Sequence, residues 1–397
     1  MGRTLDFLPV TSADHRRWVE RRLPRFLFDY IDGGANDELT LAANLEAFRR
    51  LGLRQRVLRD VSAVDTTTTL AGEPAAMPLA LAPVGLAGLM ARRGEVLGVR
   101  AAEAAGIPFT LSTVGICSLR EVRAAAAKPF WFQLYMLRDR TAVRRLLDGA
   151  AEAGCTTLVF TVDLAVAGLR QRDVRNGMLD GGLRGKLFRA GQILRRPGWI
   201  LNVGLRGGPH HFGSLVDLVA VPTDIQASRV WMGTQFDPGV TLKDIAWLRG
   251  IWKGRLLLKG ILEPEDASAA VEVGADGVIV SNHGGRQLDS VAPSLAKLPG
   301  VVQAVAGRAE VLLDGGVRSG LDVFKAVALG ARGVLIGRPW VWALAGSGQS
   351  GLEDLLGTFR KELAVAMALC GVNRIGEVGP ELLEVLEAAP PWPAAGA

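Results

Sequence analysis

At 397 residues with 49% hydrophobic side chains, the chain can build a large core, and global disorder is excluded. The 46 basic and 40 acidic residues leave a net charge of +6, and all of it sits in one place. Between Gly181 and Val216 lie Arg184, Lys186, Arg189, Arg195, Arg196 and Arg206 with no acidic residue, while the rest of the chain balances, so nucleic-acid binding explains the charge poorly.

The N-terminus lacks the apolar core of a secretory signal, and no apolar run is long enough to span a bilayer as a helix. Cys117, Cys155 and Cys370 have neither CxxC nor metal-ligand spacing, which suits buried thiols in a reducing compartment. The expected location is the cytoplasm, or the cytoplasmic side of the inner (plasma) membrane as a peripheral protein. Residues 1–60 read as helical. Leu23-Pro24 opens a helix that runs through Phe26, Phe28 and Tyr30 to Gly33-Gly34, and a continuation follows around 41–51. These elements are expected to plug or flank what comes next.

Eight short apolar runs follow, at 79–82, 108–111, 131–134, 157–161, 256–259, 277–280, 310–313 and 333–336, most separated by one helix-length stretch such as 94–105 or 140–153. Alternating βα units in that number favour a closed parallel barrel over an open sheet. The expected fold class is α/β, a (β/α)8 TIM barrel in one domain. It has an N-terminal helical extension over 1–75, the barrel over 76–345, a long basic insertion over 177–220 after strand 4, and C-terminal helices and tail over 346–397. After Pro380 the tail is expected to open as a helix and to end in Ala389-Pro390-Pro391-Trp392-Pro393 as a packing or flexible arm.

The runs end in polar residues and glycines: Pro83-Val84-Gly85, Ser112-Thr113, Gln133-Leu134-Tyr135, Thr161-Val162-Asp163, Lys259-Gly260, Asp314-Gly315-Gly316-Val317-Arg318 and Gly337-Arg338. At the C-terminal ends of consecutive barrel strands they would line one pocket. The sixth run leads into Ser281-Asn282-His283-Gly284-Gly285-Arg286-Gln287-Leu288-Asp289. His283 exchanges protons near neutral pH, Arg286 offers a planar fork for a carboxylate, and the two glycines let a ligand approach the backbone. In the last two runs, glycine amides with Arg318 and Arg338 would make a phosphate cradle; arginines paired with surface carboxylates are the alternative. No metal site is expected, since His210-His211 lacks companion ligands at metal spacing. Gly346-Ser347-Gly348-Gln349-Ser350-Gly351 matches GxGxxG but follows a helical stretch, so it reads as a helix-to-helix turn.

The nonapeptide 281–289, with the strand-end motifs, resembles the signature of the FMN-dependent L-2-hydroxy acid dehydrogenases and oxidases, which include L-lactate dehydrogenase, mandelate dehydrogenase and glycolate oxidase; the resemblance runs from about Leu23 to Gly371. It implies FMN as cofactor and His283 as the active-site base, with Asp163 stabilising the imidazolium. Arg286 and Arg170 would hold the substrate carboxylate, Tyr30 would add a hydroxyl donor and Tyr135 would bond the reacting oxygen. The chain has only two tyrosines, and both fall on these positions. Lys259 would face the flavin where negative charge collects on reduction. Ser112, Gln133, Thr161 and Ser281 would bind near the flavin ring, with the Pro83, Val84 and Gly85 backbone along its face. Asp314 would take ribityl hydroxyls, and Gly315, Gly316, Arg318, Gly337 and Arg338 the phosphate.

Oxidases of that family usually carry alanine where this chain has Gly85, so the resemblance favours a dehydrogenase passing electrons to quinone or another carrier. Phe109-Thr110-Leu111-Ser112-Thr113-Val114, Ala82-Pro83-Val84-Gly85 and Arg92-Arg93-Gly94-Glu95 look most like the bacterial L-lactate enzymes, whereas Asp163-Leu164-Ala165-Val166-Ala167-Gly168 looks more like mandelate dehydrogenase. Lactate is the first expectation for the substrate and mandelate the second; Val114 argues against glycolate. An FMN barrel of another class, an isomerase or reductase, would need no carboxylate clamp beside a base. Residues 183–201 interleave leucines, Phe188 and cations at helical spacing and end in Trp199-Ile200-Leu201, which suits an anionic membrane surface. An active-site lid is the alternative. Gly185, Gly191 and Pro197 argue against one continuous helix there. The resemblance also implies a homotetramer.

Overall fold

The computed structural model describes residues 8–178, 180, 182–216 and 231–386. Three helices lead: α1 (Ser12–Glu20), α2 (Arg25–Asp32) and α3 (Leu39–Arg49). Thr11 and Asp14 form a capping box on α1, and Pro24, which cannot continue a preceding helix, sits at the N-cap of α2. Helix does not persist to residue 60 as expected. After Arg49 the chain extends into β1 (Leu51–Leu53), which pairs antiparallel with β12 (Leu383–Val385). That pairing also overrides the helix expected after Pro380: one 3-10 turn, Pro380–Leu382, leads straight into β12. Residues 389–393 lie outside the described residues.

β2 (Thr68–Leu70) and β3 (Glu73–Ala75) form a hairpin, and the barrel follows: β4 (Leu79–Leu81), β5 (Thr110–Ser112), β6 (Trp131–Leu134), β7 (Thr157–Thr161), β8 (Arg255–Ile261), β9 (Gly277–Val280), β10 (Glu310–Asp314) and β11 (Gly333–Ile336). The eight strands run parallel in the order β4-β11-β10-β9-β8-β7-β6-β5. A bridge between Leu81 and Phe109, with the Leu81 N–H donating to Pro108 O at 2.9 Å, nearly closes the ring. Helices between the strands cover the outside, among them α4 (Ala87–Met90), α5 (Gly94–Ala105), α6 (Leu119–Ala125) and α7 (Arg140–Glu152), and the long helix Arg338–Leu369 closes the ring after β11.

Strand residues alternate between the barrel interior and the helical layer. Ala80, Trp131, Val159, Leu257, Ile279, Leu312 and Leu335 form one interior cluster with Leu70, Ala71 and Ala75 of the β2–β3 hairpin. The hairpin is therefore the plug at the bottom of the barrel, held by Glu310 accepting from the Ala71 N–H at 3.0 Å and by Glu73 accepting from Thr156 and Trp131. The N-terminal helices flank the opposite end. The same alternation, two residues on, puts Gln133, Thr161, Lys259, Ser281, Asp314 and Gly337 inside at the C-terminal mouth. Period two thus carries each strand from apolar packing to chemistry.

The long connection between β7 and β8 contains α8 (Gln171–Arg175), α9 (Leu183–Leu194), α10 (Pro197–Trp199) and a π-helical turn, Ile200–Leu205. α9 runs unbroken through both glycines, contrary to expectation. A Cβ at Gly185 would stand 2.4 Å from Asp180 O, so that glycine permits close packing, while Gly191 faces open space; Pro197 does end the run, as the first residue of α10. The GxGxxG segment is the expected turn between helices: Gly348, at φ 71 and ψ −155, breaks the long helix. All three cysteines are free and buried. Among the described residues no helix is long and apolar enough to cross a membrane, and no cluster of metal-binding side chains occurs.

Candidate active site

The strand ends surround one cavity of about 320 Å³, and α2 contributes Tyr30 and Ile31 to its wall. At its centre the loop after β9 turns sharply. His283 has φ 56, Gly284 φ 63 and Gly285 φ 74, and Ser281 Oγ accepts the His283 N–H at 3.0 Å, holding the turn. His283 Nδ1 lies 2.9 Å from Asp163 Oδ1, at the end of β7. Burial is the largest influence on His283 and, against the pull of Asp163, leaves its pKa below the ordinary value. Burial opposes the charge on Asp163, but His283 and Lys259 outweigh it and hold that carboxyl below its usual range. The pair rests as neutral imidazole and carboxylate, with Nε2 available to take a proton. Gly260, at φ 112, makes room for the carboxylate; a Cβ there would come 2.6 Å from Asp163 Cβ and Cγ.

Two arginines face His283 across the cavity. Arg286 and Arg170 place their guanidinium carbons 5.1 and 6.0 Å from the Tyr30 ring centroid. Arg286 donates to Gly33 O at 2.9 Å, and burial with the nearby charge of Arg170 brings its pKa down to about 9. Two cations this close suit an anion. Tyr135 lies beneath, its ring 5.1 Å from that of Phe236, with burial and the Asp163 charge raising its phenol pKa.

The other half of the cavity is lined by Pro83, Val84, Gly85, Thr161, Lys259 and the 314–316 turn. Behind it, Ser112 Oγ donates to Gln133 Oε1 at 2.9 Å and Gln133 Nε2 donates to Thr161 Oγ1 at 3.1 Å, a buried chain across three strands. Lys259 Nζ is held by Asp314 Oδ2 at 2.8 Å and Ser281 Oγ at 2.9 Å. Burial works against its charge, but Asp314 and Asp163 more than compensate and raise its pKa. Farther along, Gly315 and Gly316 have φ 93 and 90. Burial lowers Arg318 to about 10 and Arg338 to about 9. Arg318 stacks 5.1 Å from the Trp342 ring and donates to Val317 O. The Arg338 guanidinium is engaged with the carbonyls of Ile31, Asp32, Gly33 and Gly284. Among the described residues neither arginine is ion-paired with a carboxylate, so a phosphate dianion here would meet two cations and glycine backbone able to approach it.

Several residues that shape the site were not anticipated. Asp32, buried at the end of α2, bonds Arg16 at 2.6 and 2.8 Å and Arg172 at 2.8 Å, and Arg172 also reaches Glu38. This network ties α1, α2 and α8 together behind Tyr30 and Arg170. Gln287 Nε2 donates to the carbonyls of Asp163 and Val166, both at 2.9 Å, and pins the loop that carries Asp163. Asp289 accepts from Thr40 N at 2.8 Å at the start of α3. Only the Arg16–Asp32 separation of sixteen residues lies within one short segment; the remaining partners are distant in sequence.

A family model described as "FMN-dependent dehydrogenase" matches residues 19–385. The chain belongs to that family. FMN is accordingly the cofactor of this FMN-dependent dehydrogenase, and the anion-seeking arginines, the glycine turn and the buried Lys259 fit its phosphate and its reducible ring. The dehydrogenase is 52% identical to an L-lactate dehydrogenase of Caulobacter sp. (strain K31) over 94% of this chain and 98% of the relative, and 50% identical to an L-lactate dehydrogenase of Alcaligenes faecalis with the same coverage. Among solved structures it is similar to a monotopic membrane protein, (S)-mandelate dehydrogenase, with a TM-score of 0.88 and 33% identity over 95% of this chain and 99% of that one. A mandelate oxidase gives 0.80 and 38%, over 95% and 98%.

Proposed function

We propose that this enzyme oxidises L-lactate to pyruvate and passes the electrons to a quinone of the respiratory chain. The observation that carries the reading is the His283–Asp163 pair facing Arg170 and Arg286 across one cavity, in a chain half identical to L-lactate dehydrogenases. The substrate carboxylate sits between the two guanidinium groups with the Tyr30 hydroxyl beside it, which fixes the hydroxyl-bearing carbon. His283 Nε2 accepts a substrate proton, and Asp163 stabilises the cation that forms. Tyr135 donates to the reacting oxygen. FMN, when bound, would take up the two electrons together with the second hydrogen, and Lys259 would favour the negative charge added to the ring. Ser112, Gln133, Thr161 and Ser281 orient the ring, Asp314 the ribityl chain, and Gly315, Gly316, Arg318, Gly337 and Arg338 the phosphate, Arg338 through its charge and backbone.

(S)-Mandelate is the second reading. The wall beside His283 is apolar at Val114, Leu164 and Ala167, and a further cavity of about 330 Å³ shares Leu164, Tyr135 and Phe236 with the active site, which gives an aromatic side chain somewhere to go. The deciding experiment is anaerobic flavin absorbance with each acid added separately. Fast bleaching by L-lactate supports the first reading; preferential bleaching by (S)-mandelate replaces it with the second.

Membrane attachment belongs to the same proposal. The connection after β7 exposes Leu183, Leu187, Phe188, Leu194, Leu201 and Leu205 among its cations, as a surface helix at an anionic interface does. It is docked rather than hanging free: Gln192 Oε1 accepts from Phe26 N at 2.8 Å and Trp199 Nε1 donates to Leu89 O at 2.8 Å. Deleting 183–201 is expected to free the enzyme from the cytoplasmic face of the membrane. Light scattering on the purified holoenzyme tests the tetramer.

A further inference from the structure

Away from the active site, the connection after β7 and the barrel body enclose a second large cavity of about 810 Å³, against about 320 Å³ for the active site. Seven arginines line it and no carboxylate does: Arg21 and Arg22 after α1, Arg92 and Arg93 before α5, Arg100 on α5, and Arg195 and Arg196 before α10. One of them, Arg93, has a carboxylate partner, Glu121. Arg22 and Arg196 are fixed in place by main-chain oxygens, Arg22 by Gly346 O at 2.6 Å and Arg196 by Leu23 O at 3.0 Å, which orients them without neutralising them. The side chains of Arg21, Arg92, Arg100 and Arg195 make no hydrogen bond or ion pair with any described residue. Like charges gathered in one concavity repel, and only an anion offsets that cost.

The shape of the wall narrows the choice of anion. The floor is apolar, with Leu23, Met90, Val203 and Leu344. Beside it, Leu194 is 74% and Leu205 73% exposed. Trp199 lies between floor and rim with its indole N–H bonded into the body, the amphipathic position that tryptophan takes at a membrane–water boundary. A free phosphate would use the guanidinium groups alone. A phospholipid would use the whole surface, its phosphate among the arginines and its acyl chains against the leucines.

We infer that this cavity is a binding site for the phosphate headgroup of an anionic phospholipid. Selection of lipid is thus built into the barrel body, through Arg21, Arg92 and Arg100, and not only into the basic connection. The inference rests on the membrane attachment proposed above, and the test separates the two. The FMN-loaded full chain is floated with vesicles of phosphatidylcholine alone or mixed with phosphatidylglycerol, alongside the variant Arg21→Gln/Arg92→Gln/Arg100→Gln, which leaves every cation of the connection intact. Binding to the mixed vesicles is expected to fall about fivefold per arginine removed, on the order of a hundredfold for the three, while FMN content and substrate-driven flavin bleaching stay unchanged. A variant that binds the mixed vesicles as the wild type does overturns the lipid site and leaves membrane attachment standing. A wild type that binds neither vesicle overturns both. If inorganic phosphate, without vesicles, raises the melting temperature of the wild type but not of the variant, and vesicles do not bind, the cavity takes a free phosphate and the lipid assignment falls.

Discussion

Asn44 and Asn282 exchange two hydrogen bonds, at 2.9 and 2.8 Å, across 238 residues of sequence. Asn44 lies on α3 and Asn282 stands next to His283, so the amide pair sets the height of the catalytic loop against the N-terminal helices. Both side chains are buried. Asn44→Ala leaves the Asn282 amide short of partners away from water, which costs about 1–3 kcal/mol. A urea unfolding midpoint below that of the wild type, with the same slope, is the expected result.

The state of His283 predicts the acid limb of activity. A base must be neutral to accept a proton, and activity is lost as pH falls through its pKa. Burial puts that pKa below the ordinary 6.5, so the acid limb of kcat/KM for the free enzyme is expected below pH 6.5. A limb centred above that value would contradict the burial seen here. His283→Gln is expected to keep FMN and to show no substrate-driven bleaching; retained turnover would remove His283 from the role.

Asp163 offers a sharper test of the same pair, because only its charge need change. In Asp163→Asn an amide N–H that donates to His283 Nδ1 would put the ring proton on Nε2, the nitrogen that must accept. A loss on the order of 10³–10⁴-fold in kcat is expected, as for other histidines deprived of their carboxylate. FMN absorbance of the purified variant should match the wild type. A rate within tenfold of the wild type would show that Asp163 only packs the loop.

Much of this architecture is legible in the sequence because a parallel barrel writes itself in a simple code. Strands buried on both faces are short apolar runs, and runs 131–134, 157–161, 277–280 and 333–336 coincide with β6, β7, β9 and β11. The polar residues at their ends continue the inward-facing register, so the strand pattern alone places Gln133, Thr161, Ser281 and Gly337 at the barrel mouth. The nonapeptide 281–289 was legible as chemistry only in part. His283 and Arg286 face the cavity, but Asn282, Gln287 and Asp289 hold the loop and α3 in place. What stayed hidden depends on distant pairing. β1 and β12 owe their strand form to each other, and Asp32 owes its buried charge to Arg16 and Arg172, one of them 140 residues away. Nothing local marks such partners. Helix α9 continues through Gly185 and Gly191 for a related reason: helix propensity is a weak prior, and at Gly185 close packing against Asp180 outweighs it.

Gly85 is the position where a single methyl group should report on electron transfer. It lines the cavity beside Val114 and Tyr30, and a Cβ there would stand 2.7 Å from Val114 Cγ2 and 3.3 Å from Tyr30 Oη. The first distance is too short to persist, so Gly85→Ala must push Val114 aside or move its own strand end, at a cost of about 1–3 kcal/mol. The displacement lies against the face where the flavin ring is proposed to sit, and it changes the space open to oxygen there. Reoxidation of the substrate-reduced variant by dissolved oxygen, followed by stopped-flow absorbance, is expected to be faster than in the wild type. Trimming the obstructing side chain in Gly85→Ala/Val114→Ala should recover the lost stability while keeping the methyl group beside the ring. If the single variant is as stable as the wild type and reoxidises at the same rate, Gly85 serves the turn after β4 and has no part in setting oxygen reactivity.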